Sequence, residues 1–114
     1  AAGEVQLIAD NACASWFILG EKTTADWRSI DLREHQVNAS VNGVVKEKGV
    51  GKNVLGDPRL ALTWIANELS QEKIGLKVGE IITTGTCVLP FCIKPGDFID
   101  LDFGQIGAVN VTLT

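Results

Sequence analysis

The spacing of apolar and polar positions along this 114-residue chain changes several times, and each change marks an element. Val5, Leu7, Ile8, Ala9 and Ala12 are compatible with the end of a helix or an irregular packed segment. Trp16-Phe17-Ile18-Leu19 is a continuous apolar run closed by Gly20, which predicts a short buried strand. Residues 21–26 are polar and read as a loop, in which Thr24 or Asp26 can cap a turn. Val37, Ala39 and Val41 then alternate with Asn38 and Ser40, the two-residue period of a half-buried strand. Asn42-Gly43 follows, the pair preferred in a two-residue type I′ turn, so residues 36–41 and 44–48 are expected to form a hairpin. The returning arm is charged, as suits an exposed edge.

Gly49-Val50-Gly51-Lys52-Asn53 reads as a flexible connector to the one clear helix. Asp57 is a good N-cap and Pro58 belongs at the first helical position. Arg59, Thr63, Asn67 and Gln71 recur every four residues as a narrow polar stripe. Leu60, Ala61, Leu62, Trp64, Ile65, Ala66 and Leu69 fill most of the remainder, which predicts a main helix packed on several sides. Gly75 is the expected terminator. Ile81 and Ile82 predict a buried strand that runs into Thr84-Gly85-Thr86.

Towards the C-terminus, Lys94-Pro95-Gly96-Asp97 is a turn. Ile99, Leu101 and Phe103 alternate with polar neighbours, as do Val109, Val111 and Leu113, and Gly104-Gln105 between them suits a type II′ hairpin. The pattern as a whole is α+β, mostly strand, with one main packed helix and no internal repeat. Residues 1–114 read as a single domain.

Composition narrows the class. With 46% hydrophobic and 21% charged residues the chain is globular rather than disordered. A net charge of -4 argues against a nucleic-acid partner, which would want a clustered basic face. Lys46, Lys48 and Lys52 lie close together, but Glu47 interrupts them, and a solvated hairpin end is the simpler reading. No apolar stretch approaches the roughly 20 residues that span a bilayer, so no membrane partner is expected. Cys13, Cys87 and Cys92 have neither disulfide-framework nor metal-type spacing, which points to a reducing, cytoplasmic setting. The chain starts Ala1-Ala2-Gly3 and contains no methionine, so it is read as starting downstream of a translation start.

Candidate chemistry centres on Thr84-Gly85-Thr86. Two hydroxyls and the backbone N–H groups surround a residue with no side chain, so a small anion can approach closely. Asp100 and Asp102 share a strand face and could hold a hard cation, yet the alternation leaves that face to water. His35, between Glu34 and Gln36, reads as a surface residue. Cys13 sits among small residues beside Asp10 and Asn11, as a core thiol or as part of a pocket wall. No triad-type or phosphate-cradling motif is present.

Four segments together resemble the 2-keto-4-pentenoate hydratase and 4-oxalocrotonate decarboxylase family of the fumarylacetoacetate hydrolase superfamily. They are Ala9-Asp10-Asn11-Ala12-Cys13-Ala14 through Gly20, Asn53-Val54-Leu55-Gly56-Asp57-Pro58 with its helix, Gly79 to Thr86, and Pro95-Gly96-Asp97 through Phe103-Gly104. The resemblance covers nearly the whole chain. It implies a mixed β-roll of the C-terminal-like type, truncated here, and a role in catabolism of aromatic compounds. It further implies a short 2-oxo or 2-hydroxy unsaturated acid as substrate, and Mg²⁺ or Mn²⁺ as a Lewis acid. Thr84, Gly85 and Thr86 match the family's loop beside the bound acid, and Cys13 falls where many relatives carry serine. The family's metal-binding glutamates precede the Asp-Asn-Ala segment, so the resemblance is to the C-terminal half alone. No metal ligand is assigned here, and the isolated chain is expected to be inactive. Three readings follow: part of a hydratase, part of a decarboxylase using the same enolate logic, or a non-catalytic module that assembles with a partner chain. Exposed strand edges make a homo-oligomer or a partner chain the expectation.

Overall fold

In the computed structural model, which describes residues 3–9 and 15–114, Asn42 and Gly43 take φ of 51° and 80°. These are the paired left-handed conformations of a two-residue type I′ turn, and they join β1 (Gln36–Val41) to β2 (Val44–Val50). With β3 (Phe98–Asp102) and β4 (Ala108–Thr112) the strands form an open antiparallel sheet in the order β2-β1-β3-β4. The charged arm β2 is an edge, as its sequence anticipates. A bulge at Ala39/Ser40 shifts its register and leaves Lys46 unmatched.

Register explains the core. Val41 faces Ile99 and Ala39 faces Leu101 across β1 and β3, while Ile99 faces Val111 and Leu101 faces Val109 across β3 and β4. Val37, Val41, Val54 and Ile99 are buried with Ala39, which has 0% exposure. These are mostly small residues, so the apolar heart of the molecule is modest.

Among the described residues, two α-helices complete the α+β architecture: a short α1 (Glu4–Ala9) and α2 (Pro58–Gln71). The Asp57 carboxylate accepts the Arg59 N–H at 2.9 Å, so the N-cap works as its residue type implies. Termination differs from expectation. Lys73, at φ 59°, takes the left-handed position in place of Gly75. Ile74 N–H bonds to the Leu69 carbonyl at 2.8 Å and Lys73 N–H to Ser70 at 3.0 Å, the paired bonds of a Schellman ending. Only the flank carrying Ala61, Ile65, Ala66 and Leu69 is half-buried, and no residue of α2 is fully buried. Packing on several sides is therefore met on one flank within this chain.

The β3–β4 connection also differs. The strands part at Asp102 and meet again at Ala108, with a 3-10 turn over Gly104–Ile106 instead of a two-residue type II′ turn. Asp102 Oδ1 accepts the Gly104 N–H at 2.8 Å, and that local bond starts the tighter coil.

The Trp16–Leu19 run and the Ile81-Ile82 pair are not strands. Trp16 is 90% exposed, and Phe17, Leu19 and Ile81 are also exposed. A strand is a pairing relation, and none of the described segments pairs with either run. The whole chain presents 9063 Å² of accessible surface. A folded monomer of its 12.2 kDa presents roughly 6,000 Å². Its radius of gyration, 15.8 Å, likewise exceeds the roughly 13 Å typical of this length. Much of the surface written as core by the sequence is left uncovered. Among the described residues, no helix is long and apolar enough to cross a membrane.

Candidate functional site

The segment 49–53 carries the candidate loop. It is not a flexible connector: Gly49 and Val50 end β2, and Gly51–Asn53 forms a 3-10 turn. Its glycines are there for close approach. A Cβ on Gly51 would lie 1.8 Å from the Leu32 carbonyl oxygen, and one on Gly49 would lie 2.0 Å from that of Cys87. Gly51 N–H bonds to the His35 carbonyl at 2.9 Å and Lys52 N–H to that of Arg33 at 2.8 Å, which clamps the turn to the turn segment that precedes β1. Lys52 Nζ pairs with Glu34 at 2.9 Å on the surface.

Asn53 Nδ2 donates to the Cys87 carbonyl at 2.8 Å. A Cβ on Gly85 would stand 3.4 Å from Cγ1 of the buried Val54, so the loop's glycine faces the core's edge. Thr84, Gly85 and Thr86 are exposed. Thr86 Oγ1 donates to the Val88 carbonyl at 3.1 Å, and Thr84 Oγ1 has a 3.4 Å contact with the Gly85 carbonyl. Each hydroxyl oxygen keeps its acceptor sites free, and the loop offers small, hydrogen-bonding walls without charge. Grooves of about 560 and 830 Å³ lie along β4 and are lined by other residues. Cys13, the remaining pocket candidate, lies outside the described residues.

Two other candidates are structural. His35 is half-buried, not a free surface residue: its Nε2 is 2.6 Å from the Phe103 carbonyl, which ties the start of β1 to the end of β3. The reason is topological, since β1 lies beside β3 and carries His35 against the chain reversal that follows it. Asp102 is engaged in its turn. No group of three or more His, Cys, Asp or Glu able to hold a metal occurs among the described residues. The donor set therefore does not fit a divalent cation. The Cys87 thiol is pushed up by burial, so it is a poor nucleophile. Asn53 and Gly49 were not legible as site residues, although a Gly-x-Gly pair at the end of a strand is a signal of close backbone approach.

The fumarylacetoacetate (FAA) hydrolase C-terminal family matches residues 1–114. The 2-oxo-hept-4-ene-1,7-dioate hydratase of Escherichia coli is 33% identical over 103 residues, covering 90% of this chain and 38% of that protein. The 4-oxalocrotonate decarboxylase of Pseudomonas putida is 32% identical over 93% of this chain and 40% of its own length. Among solved structures, the 4-oxalocrotonate decarboxylase from Pseudomonas putida G7, complexed with magnesium and adipate, superposes with a TM-score of 0.83 at 32% identity. That match covers 96% of this chain and 41% of the decarboxylase. The chain thus spans about two fifths of the length of these relatives.

Proposed function

Because the chain belongs to the fumarylacetoacetate hydrolase C-terminal family, we propose that it forms the acid-facing wall of a hydratase site for short 2-oxo-enoates. The reaction is that of a 2-keto-4-pentenoate hydratase, which adds water to the unsaturated acid during breakdown of aromatic compounds. The observation that carries this reading is the Thr84-Gly85-Thr86 loop, small, hydroxyl-bearing and held at Cys87 by Asn53. A carboxylate is an acceptor-only group, so it would be met by the loop's backbone N–H groups and by the two hydroxyls once they turn from the Gly85 and Val88 carbonyls to donate, without a fixed charge. Cys13, outside the described residues, joins this proposal only through the family's order of segments.

Magnesium accompanies the related decarboxylase in its structure. The described residues supply no cage for it, so Mg²⁺ or Mn²⁺ would be held by polypeptide outside them. The excess of exposed surface supports the same view. Trp16, Leu60, Leu62 and Trp64 need covering, by a second copy or by another stretch of protein. The free thiols Cys87 and Cys92 suit a reducing cytoplasm. A decarboxylase role is the second reading, favoured by the superposition on a decarboxylase over nearly the whole chain.

The test is a chimaera. This chain is joined to the part of the Escherichia coli hydratase that it does not match, and 2-hydroxypenta-2,4-dienoate and 4-oxalocrotonate are supplied with Mg²⁺. Water addition is expected from the chimaera, with negligible turnover by the 114-residue chain alone. Carbon dioxide release from 4-oxalocrotonate would select the decarboxylase. A folded chimaera whose rate is unchanged by Thr84→Val and Thr86→Val would remove the loop from the site.

A further inference from the structure

We infer that Asn53 is a positioning residue for the Thr84–Thr86 loop, acting through the Cys87 carbonyl; the ligand side of this rests on the reading of that loop as an oxo-acid wall. Residues 81–93 form no helix or strand. Among the described residues, no main-chain hydrogen bond links this segment to the rest of the protein. The side-chain hydrogen bonds of Thr84 and Thr86 stay inside it. The bond from Asn53 Nδ2 to the Cys87 carbonyl, 2.8 Å long and spanning 34 residues, is the tether that remains.

That tether has a rigid mount and a shaped seat. Asn53 closes the 3-10 turn whose first two N–H groups are bonded to His35 and Arg33. The segment those residues occupy is in turn pinned to the end of β3 by His35 Nε2 at the Phe103 carbonyl. Gly49 forms the seat: its missing Cβ is what lets the Cys87 carbonyl and the Val88 side chain come in against β2. A carbonyl resting on a glycine and bonded to one amide has one location. Thr86 is its immediate predecessor in the chain, so the hydroxyl and N–H directions of the loop follow from it. Without the donor, no hydrogen bond holds the loop to the rest of the described residues, and packing such as that of Gly85 on Val54 is what remains. A mobile loop pays ordering entropy when it binds a small acid, and so binds it more weakly.

Backbone 15N relaxation and carbonyl chemical shifts measured by NMR on the 114-residue chain test this. Asn53→Ala and Asn53→Asp both remove the donor, the second with almost no change of shape. Both are expected to lower the backbone order parameters of residues 84–88 to below about 0.6, the range of flexible backbone, and to move the Cys87 carbonyl resonance. Order parameters in β1 and β3 stay as they were, and Asn53→Gln, which keeps the donor, restores part of the rigidity. Adipate, added as the probe, is expected to perturb Thr84, Gly85 and Thr86 in the parent chain and about tenfold more weakly in Asn53→Asp. Unchanged order parameters at 84–88 and an unmoved Cys87 carbonyl in both donor-less variants would overturn the inference. A loop released by those variants but indifferent to adipate in the parent chain would leave the tether standing and reject the oxo-acid reading.

Discussion

Asn42 and Asp97, 55 residues apart, brace two turns against each other. Asn42 Nδ2 donates to Asp97 Oδ1 at 2.9 Å, and Asn42 Oδ1 accepts the Phe98 N–H at 2.9 Å. The Lys94 N–H closes the other carboxylate oxygen at 3.0 Å. One amide side chain thus serves the type I′ turn of the hairpin and the turn that launches β3. Asp97 is only 5% exposed, and every oxygen it buries is paired.

Acid sensitivity follows from this brace. The bond from Asn42 and that from the Lys94 N–H hold the Asp97 carboxyl below the usual carboxylate range. A folded pKa below the unfolded value means that the native state binds this proton more weakly. The stabilisation is complete above about pH 4, the unfolded value, and is lost as pH falls through the depressed folded value. Urea midpoints measured from pH 7 down to pH 2 should show Asp97→Asn less stable at neutral pH, with the gap from the parent chain closing in acid.

Gly51 should not tolerate a methyl group. Its Cβ would meet the Leu32 carbonyl oxygen at 1.8 Å, and backbone cannot swing aside as a flexible side chain can. Gly51→Ala is expected to cost about 1–3 kcal/mol, as overpacking does. Gly75→Ala, where nothing lies within 4 Å, should change stability by less than about 0.5 kcal/mol. Denaturant titration of the pair separates close approach from a general effect of losing glycine.

The end of α2 carries removable strain. Lys73 holds φ 59° without being glycine, at a steric cost of roughly 1–2 kcal/mol that glycine avoids. Part of that gain is offset by the greater freedom of glycine in the unfolded chain. Lys73→Gly should therefore raise stability by about 0.5–1 kcal/mol, visible as a higher urea midpoint at unchanged slope.

Exposed apolar residues on α2 should matter to association and not to folding. Leu60 and Trp64 are open to solvent, Trp64 by 61%. Leu60→Glu and Trp64→Glu should each shift stability by less than about 0.5 kcal/mol. Sedimentation of the parent chain should show concentration-dependent association that the double variant loses. A dispersed parent monomer would count against this face being an interface.

The local elements were legible because their causes are local. The Asn42-Gly43 turn, the Asp57-Pro58 helix start and the alternation in β1, β3 and β4 each depend on residues a few positions apart. The candidate loop was legible only as a composition of small hydrogen-bonding residues. Its support was not, because Asn53 and Cys87 meet through a contact that no period records. The 49–53 segment looked flexible for the same reason: glycine that grants freedom and glycine that admits a neighbour are written with one letter. His35 looked exposed because its partner, Phe103, is 68 residues away.

By itself the sequence determined the type I′ hairpin, the capped helix, the α+β class and the family. These rest on backbone conformations that a few side chains select and on segments whose order is specific. Tertiary structure alone decided that Trp16–Leu19 and Ile81-Ile82 stay unpaired, and that the Thr84-Gly85-Thr86 loop hangs from Asn53. Apolar patterning states that a residue prefers burial, but pairing and tethering require a partner in space. Whether that partner lies among the described residues is a property of the assembled fold.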